Sequence, residues 1–181
     1  MTPVHDDAVA VLTAWDAPSP DQSAIRFALL AYLAARPDAC ERACVPGHLT
    51  ASALVVDAAG EHTLLTLHPR VGRWVQLGGH IEADDPTLRA AALREATEES
   101  GIEGLTISDA PVHLDVHPVT CSLGVPTRHL DVRYLVRAPA GATAVRSEES
   151  VDLRWWPVAE VPDDVAFARS VLTPPGPPAG S

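Results

Sequence analysis

One segment limits what this chain can fold into more than any other. A glycine pair, Gly78-Gly79, runs into a stretch of helical character that ends Arg94-Glu95-Ala96-Thr97-Glu98-Glu99-Ser100-Gly101-Ile102. At 100° per residue, Glu95, Glu98 and Glu99 fall within an arc of about 100°. Like charges at that spacing repel and weaken a helix. Carboxylates near a helix C-terminus also oppose its dipole. The cluster therefore calls for a counter-ion, and hard oxygen ligands suit Mg²⁺ or Mn²⁺. Such an ion points to metal-assisted chemistry on a phosphate. The plain alternative is a solvated acidic helix end with a glycine stop, but such an end would sooner carry Lys or Arg.

The same segment resembles the Nudix box, the signature of the Nudix hydrolases. That pattern is a Gly, five residues, a Glu, seven residues, Arg-Glu, an apolar residue, any residue, Glu-Glu, any residue, Gly and an apolar residue. Arg94 to Ile102 match its second half in full. The first half departs. Counting from Gly79, Asp85 takes the Glu position, and eight residues separate it from Arg94. The difference reads as a one-residue insertion around Asp84-Asp85-Pro86, in a turn that tolerates one. The partner of Arg94 is then Asp84, Asp85 or Glu82.

The resemblance implies an α/β fold, the Nudix α/β/α sandwich with a mixed sheet, over residues 48–172. An N-terminal helical extension (1–47) precedes it and a Pro/Gly-rich tail (173–181) follows. Carried residue by residue, it implies that Glu95 and Glu99 ligate metal. Glu98 assists or binds a second ion, the Gly78 carbonyl adds a ligand, and Arg94 orients a carboxylate. Members often place another acid in the loop before the last strand, so Glu149 is the first candidate base and Glu148 the second.

Length and charge agree with an enzyme of this kind. A chain of 181 residues suffices for one domain with an extension. A net charge of −11 argues against non-specific nucleic-acid binding but admits a small anion where divalent ions invert the local potential. Neither a secretory start nor a run of 18 apolar residues is evident. A cytoplasmic location without membrane contact is expected, and a homodimer stays open. Three cysteines make no disulfide framework, so buried free thiols are expected.

Along the chain, Ala8, Val11, Leu12 and Trp15 have helical spacing. Ser19-Pro20-Asp21-Gln22 reads as a capping box, and Ile25, Leu29, Tyr32 and Leu33 form the stripe of the helix that follows. That helix should stop near Ala35, and a short one should span Ala39 to Ala43. Strands are expected at Thr50–Val56, His62–Leu67, Val112–Val119, Arg128–Arg137 and Asp152–Trp156. In the box helix, Pro86 should come first with Asp84 or Asp85 as N-cap, and Ala90, Leu93, Ala96 and Thr97 should face the core. A last helix is expected around Asp163 to Leu172. Asp115 and His117 share one strand face, as do His129, Asp131 and Arg133. These residues line a pocket or form a solvated sheet face, and a histidine metal site is the weaker reading. Trp74, Trp155 and Trp156 suit core packing better than base stacking.

The function expected is a divalent-metal-dependent hydrolase of a diphosphate bond in a nucleoside diphosphate derivative or nucleoside triphosphate. One rival is an isoprenoid-diphosphate isomerase, which would need a catalytic Cys, with Cys121 in the right half of the chain. The other is a non-catalytic ligand-binding module, which would not need all three glutamates.

Overall fold

The computed structural model describes residues 2–70, 72–120, 124–148 and 150–172. Its centre is an eight-stranded mixed sheet. In chain order the strands are β1 (His48–Val56), β2 (His62–His68), β3 (Arg73–Val75), β4 (Leu77–His80), β5 (Thr106–Ile107), β6 (His113–Thr120), β7 (Pro126–Arg137) and β8 (Asp152–Pro157). The central strand β1 runs parallel to β7. Its other edge is shared. Thr50 to Ala53 pair with β4 and Val55 and Val56 with β2, both antiparallel. The sheet therefore forks at β1, and the fork leads β4 straight into the box segment.

β1 is buried along its whole length, as expected of a strand covered on both faces. Its side chains alternate between two layers. Leu49 and Ala51 join a core with the helices α1 (Pro3–Ala14), α2 (Pro20–Ala35) and α3 (Leu88–Ser100). Leu54 and Val56 join the opposite core with α4 (Phe167–Leu172). On that second face the first half of β1 carries His48, Thr50 and Ser52 instead of apolar residues. A polar floor results, beside an apolar one.

The N-terminal extension packs on the main body. Val4, Ala8, Leu12, Trp15, Leu29 and Leu33 lie in the same core as Leu88, Ala91 and Leu114. Asp7 accepts a hydrogen bond from the backbone N–H of Leu88 at 2.8 Å, which places a carboxylate at the positive end of α3. Ser19 caps α2, accepting from the Gln22 amide at 3.2 Å. Gln22 does not complete a capping box. Its side chain pairs instead with the backbone of Leu114, donating to the carbonyl at 2.9 Å and accepting from the amide at 2.7 Å. It thereby mimics one rung of a β-ladder along β6.

Other expectations need correction. Residues 37–43 form turns, with Cys40 and Cys44 buried as free thiols. α3 begins at Leu88 with Thr87 as its N-cap, accepting from the Ala90 amide at 3.0 Å. Asp85 cannot serve there because its carboxylate is engaged elsewhere. The buried face of α3 is Leu88, Ala91, Ala92, Ala96 and Ser100. Ala90 and Leu93 are only partly buried. Thr97 is exposed, and its hydroxyl donates back to the Leu93 carbonyl. Gly101 ends the helix in the left-handed conformation, as expected. The segment before Leu172 is a 3₁₀ turn, Asp163–Val165, and then the short α4. Trp74 and Trp156 pack edge to face at 5.4 Å beside the α4 core, and Trp155 packs against a third core around Ala53, Val55 and Ala96. No helix among the described residues is long and apolar enough to cross a membrane.

Candidate active site

The small residues on the buried face let α3 lie close over β1 and β4. Glu95 and Glu99, one turn apart, then meet the two glycines of β4. A Cβ on Gly79 would lie 2.7 Å from Glu95 Oε1. The space a side chain would fill is occupied by the carboxylate. Gly78 has φ 143°, and a Cβ there would lie 2.5 Å from the Ser52 Cα. Only glycine suits that position. Its N–H donates to Glu99 Oε2 at 3.0 Å. Glu98 does not share this environment. Its side chain is 60% exposed, against 14% for Glu95. The arc of three carboxylates is thus divided into two held against β4 and one at the surface.

Arg94 is the hub of the box. It donates to Asp85 twice, Nε to Oδ1 at 3.1 Å and Nη2 to Oδ2 at 2.8 Å. Nη2 also reaches the His80 carbonyl at 3.0 Å. Nη1 donates to Glu95 Oε1 and Glu98 Oε2, both at 3.1 Å. Of the three partners proposed for Arg94, Asp85 makes the forked bond, and Glu82 is a longer contact at 3.8 Å. Asp85 is buried and also accepts from the Glu82 amide at 2.8 Å. Despite the shorter acid and the extra loop residue, a carboxylate still reaches Arg94 with both oxygens. Burial alone would raise the Asp85 carboxyl, but the bonds from Arg94 and the Glu82 amide hold it below its ordinary value. The bond to Asp85 in turn raises the Arg94 guanidinium.

The polar floor of the sheet is an interior network at Asp131 and Arg133 and opens to solvent at Asp115 and His117. Asp131 and Arg133 are both buried. Asp131 accepts from Thr50 at 3.0 Å, Ser52 at 2.6 Å, Gln76 at 3.2 Å and Arg133 Nε at 2.8 Å. Arg133 Nη2 continues to Asp115 at 2.8 Å, and Asp115 pairs with His117 Nδ1 at 2.8 Å. The bond to His117 foremost, with Arg133 adding, lowers Asp115 to about 2. Phe167 walls the floor, with the Arg133 guanidinium 4.3 Å from its ring centre and the His113 ring at 4.7 Å. Burial first, and then Arg133, lowers His113 to about 4. Further along the same floor, burial lowers His48, takes His80 to about 4 and takes His129 to about 3.

The loop before β8 lies against the end of α3, where the Val145 amide donates to the Ser100 carbonyl at 2.7 Å. Glu148 is exposed in a turn of that loop. Glu149 and Cys121 lie outside the described residues.

A NUDIX domain model matches residues 46–174. This chain belongs to the Nudix family. It is accordingly a Nudix-type hydrolase acting on acid anhydrides in phosphorus-containing compounds. Solved structures share the Nudix fold. A NUDIX-family hydrolase from Clostridium perfringens is 24% identical with a TM-score of 0.55, covering 69% of this chain and 95% of that one. A MutT protein from Methanosarcina mazei Go1 is 20% identical with a TM-score of 0.52, covering 71% and 92%. The dihydroneopterin triphosphate pyrophosphohydrolase of E. coli is 19% identical with a TM-score of 0.51, covering 68% and 84%. No curated protein matches the chain significantly. Sequence reasoning found the box but missed Gln76, Thr50 and Ser52. The signal for Thr50 and Ser52 was the polar alternation within Thr50–Val56, and Gln76, between β3 and β4, had none.

Proposed function

We propose that this Nudix hydrolase is Mg²⁺- or Mn²⁺-dependent and cleaves a diphosphate bond in a nucleoside diphosphate derivative or a nucleoside triphosphate. The observation that carries the reading is the seating of Glu95 and Glu99 over Gly79 and Gly78. Two half-buried carboxylates held one turn apart against a strand are a costly arrangement without a cation, and their hard oxygens fit Mg²⁺ or Mn²⁺. Glu95, Glu99 and the Gly78 carbonyl would hold the ion, with Glu98 serving a second. When bound, the ion would offset charge on the phosphoryl oxygens and lower the pKa of bound water.

The chain's own residues supply the rest. The Gly78 amide fixes one oxygen of Glu99, and Arg94 fixes one oxygen of Glu95. Arg94 is in turn aligned by Asp85. Glu149, or Glu148 next to it, takes the proton from attacking water, since their loop is tied to the C-terminal end of α3 beside Glu99. The partly exposed end of the polar floor, at Asp115 and His117, offers hydrogen bonds to the non-reacting part of a small phosphorylated substrate. Location in the cytoplasm is part of the proposal, supported by the free thiols of Cys40 and Cys44.

The test is phosphate release across a panel of nucleoside triphosphates and diphosphate-linked nucleosides, with and without Mg²⁺ or Mn²⁺. Turnover of at least one nucleotide should require the ion. Glu99→Gln should lower turnover by more than the ~10–100-fold typical of changes around a metal site. Metal-independent turnover, or full activity of Glu99→Gln, refutes the mechanism.

A further inference from the structure

We propose that His48, His80 and His129 form a binding site for a transition-metal dication of the Zn²⁺ class, separate from the box carboxylates. The three come from three neighbouring strands. β4 and β7 flank β1, with Thr50 opposite His80 and His48 opposite His129. Their rings form a nearly regular triangle, with centroids 5.1, 5.1 and 5.2 Å apart. One ligand nitrogen from each lies within 4.8 Å of the others. Nitrogens on a tetrahedral Zn²⁺ stand about 3.3 Å apart, so small ring rotations close the triangle.

Two of the three present an open nitrogen. His48 Nε2 and His129 Nε2 are buried without a hydrogen-bond partner. His48 Nδ1 is 3.4 Å from the Cys44 carbonyl. Donation there puts the proton on Nδ1 and leaves the Nε2 lone pair free to bind an ion. A ligating histidine is commonly held in just this way by its other nitrogen. Stacking of neutral rings alone would leave both buried nitrogens unsatisfied, at a cost a folded core rarely tolerates.

Ligand chemistry separates this site from the box. Imidazoles suit Zn²⁺ and its neighbours, whereas Mg²⁺ prefers oxygen. The triad contains no carboxylate. His48 is buried, but His80 and His129 are partly exposed, so an ion could reach the triad from their side. His117, whose ring lies 5.4 Å from that of His129, is oriented by Asp115 and stands outside the triangle. The ion would tie the fork of the sheet together at the residue that follows Gly79.

The full-length, chelator-stripped protein should be titrated with Zn²⁺ against a chromophoric competitor, and separately with Co²⁺ as a spectroscopic probe. One tightly bound ion per chain is expected in addition to any weaker binding at the box, with strong visible Co²⁺ bands of a low-coordinate nitrogen site and a rise in Tm on Zn²⁺ addition. His80→Ala and His129→Gln, at the two half-buried positions, should each weaken Zn²⁺ binding by at least ~100-fold. Glu99→Gln should leave it unchanged. Absence of the strong bands in the unmutated protein, with only the weak ones of an oxygen-ligated ion at the box, overturns the proposal even if the histidine variants do not fold. Loss of Zn²⁺ in Glu99→Gln, or its retention in His80→Ala, overturns it as well.

Discussion

Replacing Asp85 with Asn tests whether the unusual acid has taken over the structural duty of the box. Asp85 makes two hydrogen bonds to the Arg94 guanidinium and accepts one from the Glu82 amide. Hydrogen bonds to charged groups contribute about 1.5–3 kcal/mol each and a neutral one about 1 kcal/mol. The full sum is not lost. Arg94 keeps Glu95 and Glu98 as partners, and the Asn oxygen can still accept. A loss of about 3 kcal/mol follows, the low end for breaking a buried pair. The pH dependence has a definite sign. The folded Asp85 carboxyl is depressed, so its contribution is fully present above the ordinary value of 3.8 and is lost as pH falls through the folded value. Urea unfolding should therefore show a constant Asp85→Asn penalty from neutral pH down to about 5 and a shrinking one below 4. Asp84, which is exposed, should tolerate the same change within about 0.5 kcal/mol. Asp85→Glu alone should overfill the turn at about 1–3 kcal/mol, and deleting Asp84 in the same protein should relieve that cost. Equal penalties for Asp84→Asn and Asp85→Asn, or a penalty that grows in acid, would refute this account.

Two further substitutions separate catalysis from folding. Gly79→Ala drives a methyl against the movable end of Glu95, whereas Gly78→Ala drives one into the Ser52 backbone at positive φ. The first should keep its Tm and lose kcat, and the second should lose about 1–3 kcal/mol of stability; a fully active Gly79→Ala refutes the seating of Glu95. For the loop acid, Glu149→Gln should lower kcat much more than it raises KM, and Glu148→Gln should do so less. A larger effect at Glu148 reverses the assignment, and no effect at either moves the base to Glu98.

What could be read from the sequence was local. The register of Glu95, Glu98 and Glu99, the glycine stop at Gly101 and the serine cap of α2 depend on residues a few positions apart, and all three hold. Misreadings arose where a distant partner competed. Gln22 suits a capping box by spacing, but the open edge of Leu114, 92 residues away, offers two backbone bonds instead of one. Asp85 suits an N-cap, but a guanidinium offers a forked, charged bond that a backbone amide does not match.

The two carboxylates against β4 show the same logic within one helix. A helical wheel places Glu98 at one edge of the arc, about 60° from Glu95 and about 100° from Glu99, but cannot say how deeply the helix sits. Three alanines on the buried face lower α3 onto the strand until its flank, not its outer surface, meets the glycines. Glu95 and Glu99 lie on that flank, and Glu98 lies beyond it, reaching back only through Arg94. The histidine triangle was still further from view. Residues 48, 80 and 129 share no local period, and only the parallel pairing of β1 with β7 beside the antiparallel β4 brings them together. Alternation within each strand could predict that His129 shares a face with Asp131. It could not predict that the neighbouring strands would add two imidazoles at one end of that face and two hydroxyls at the other.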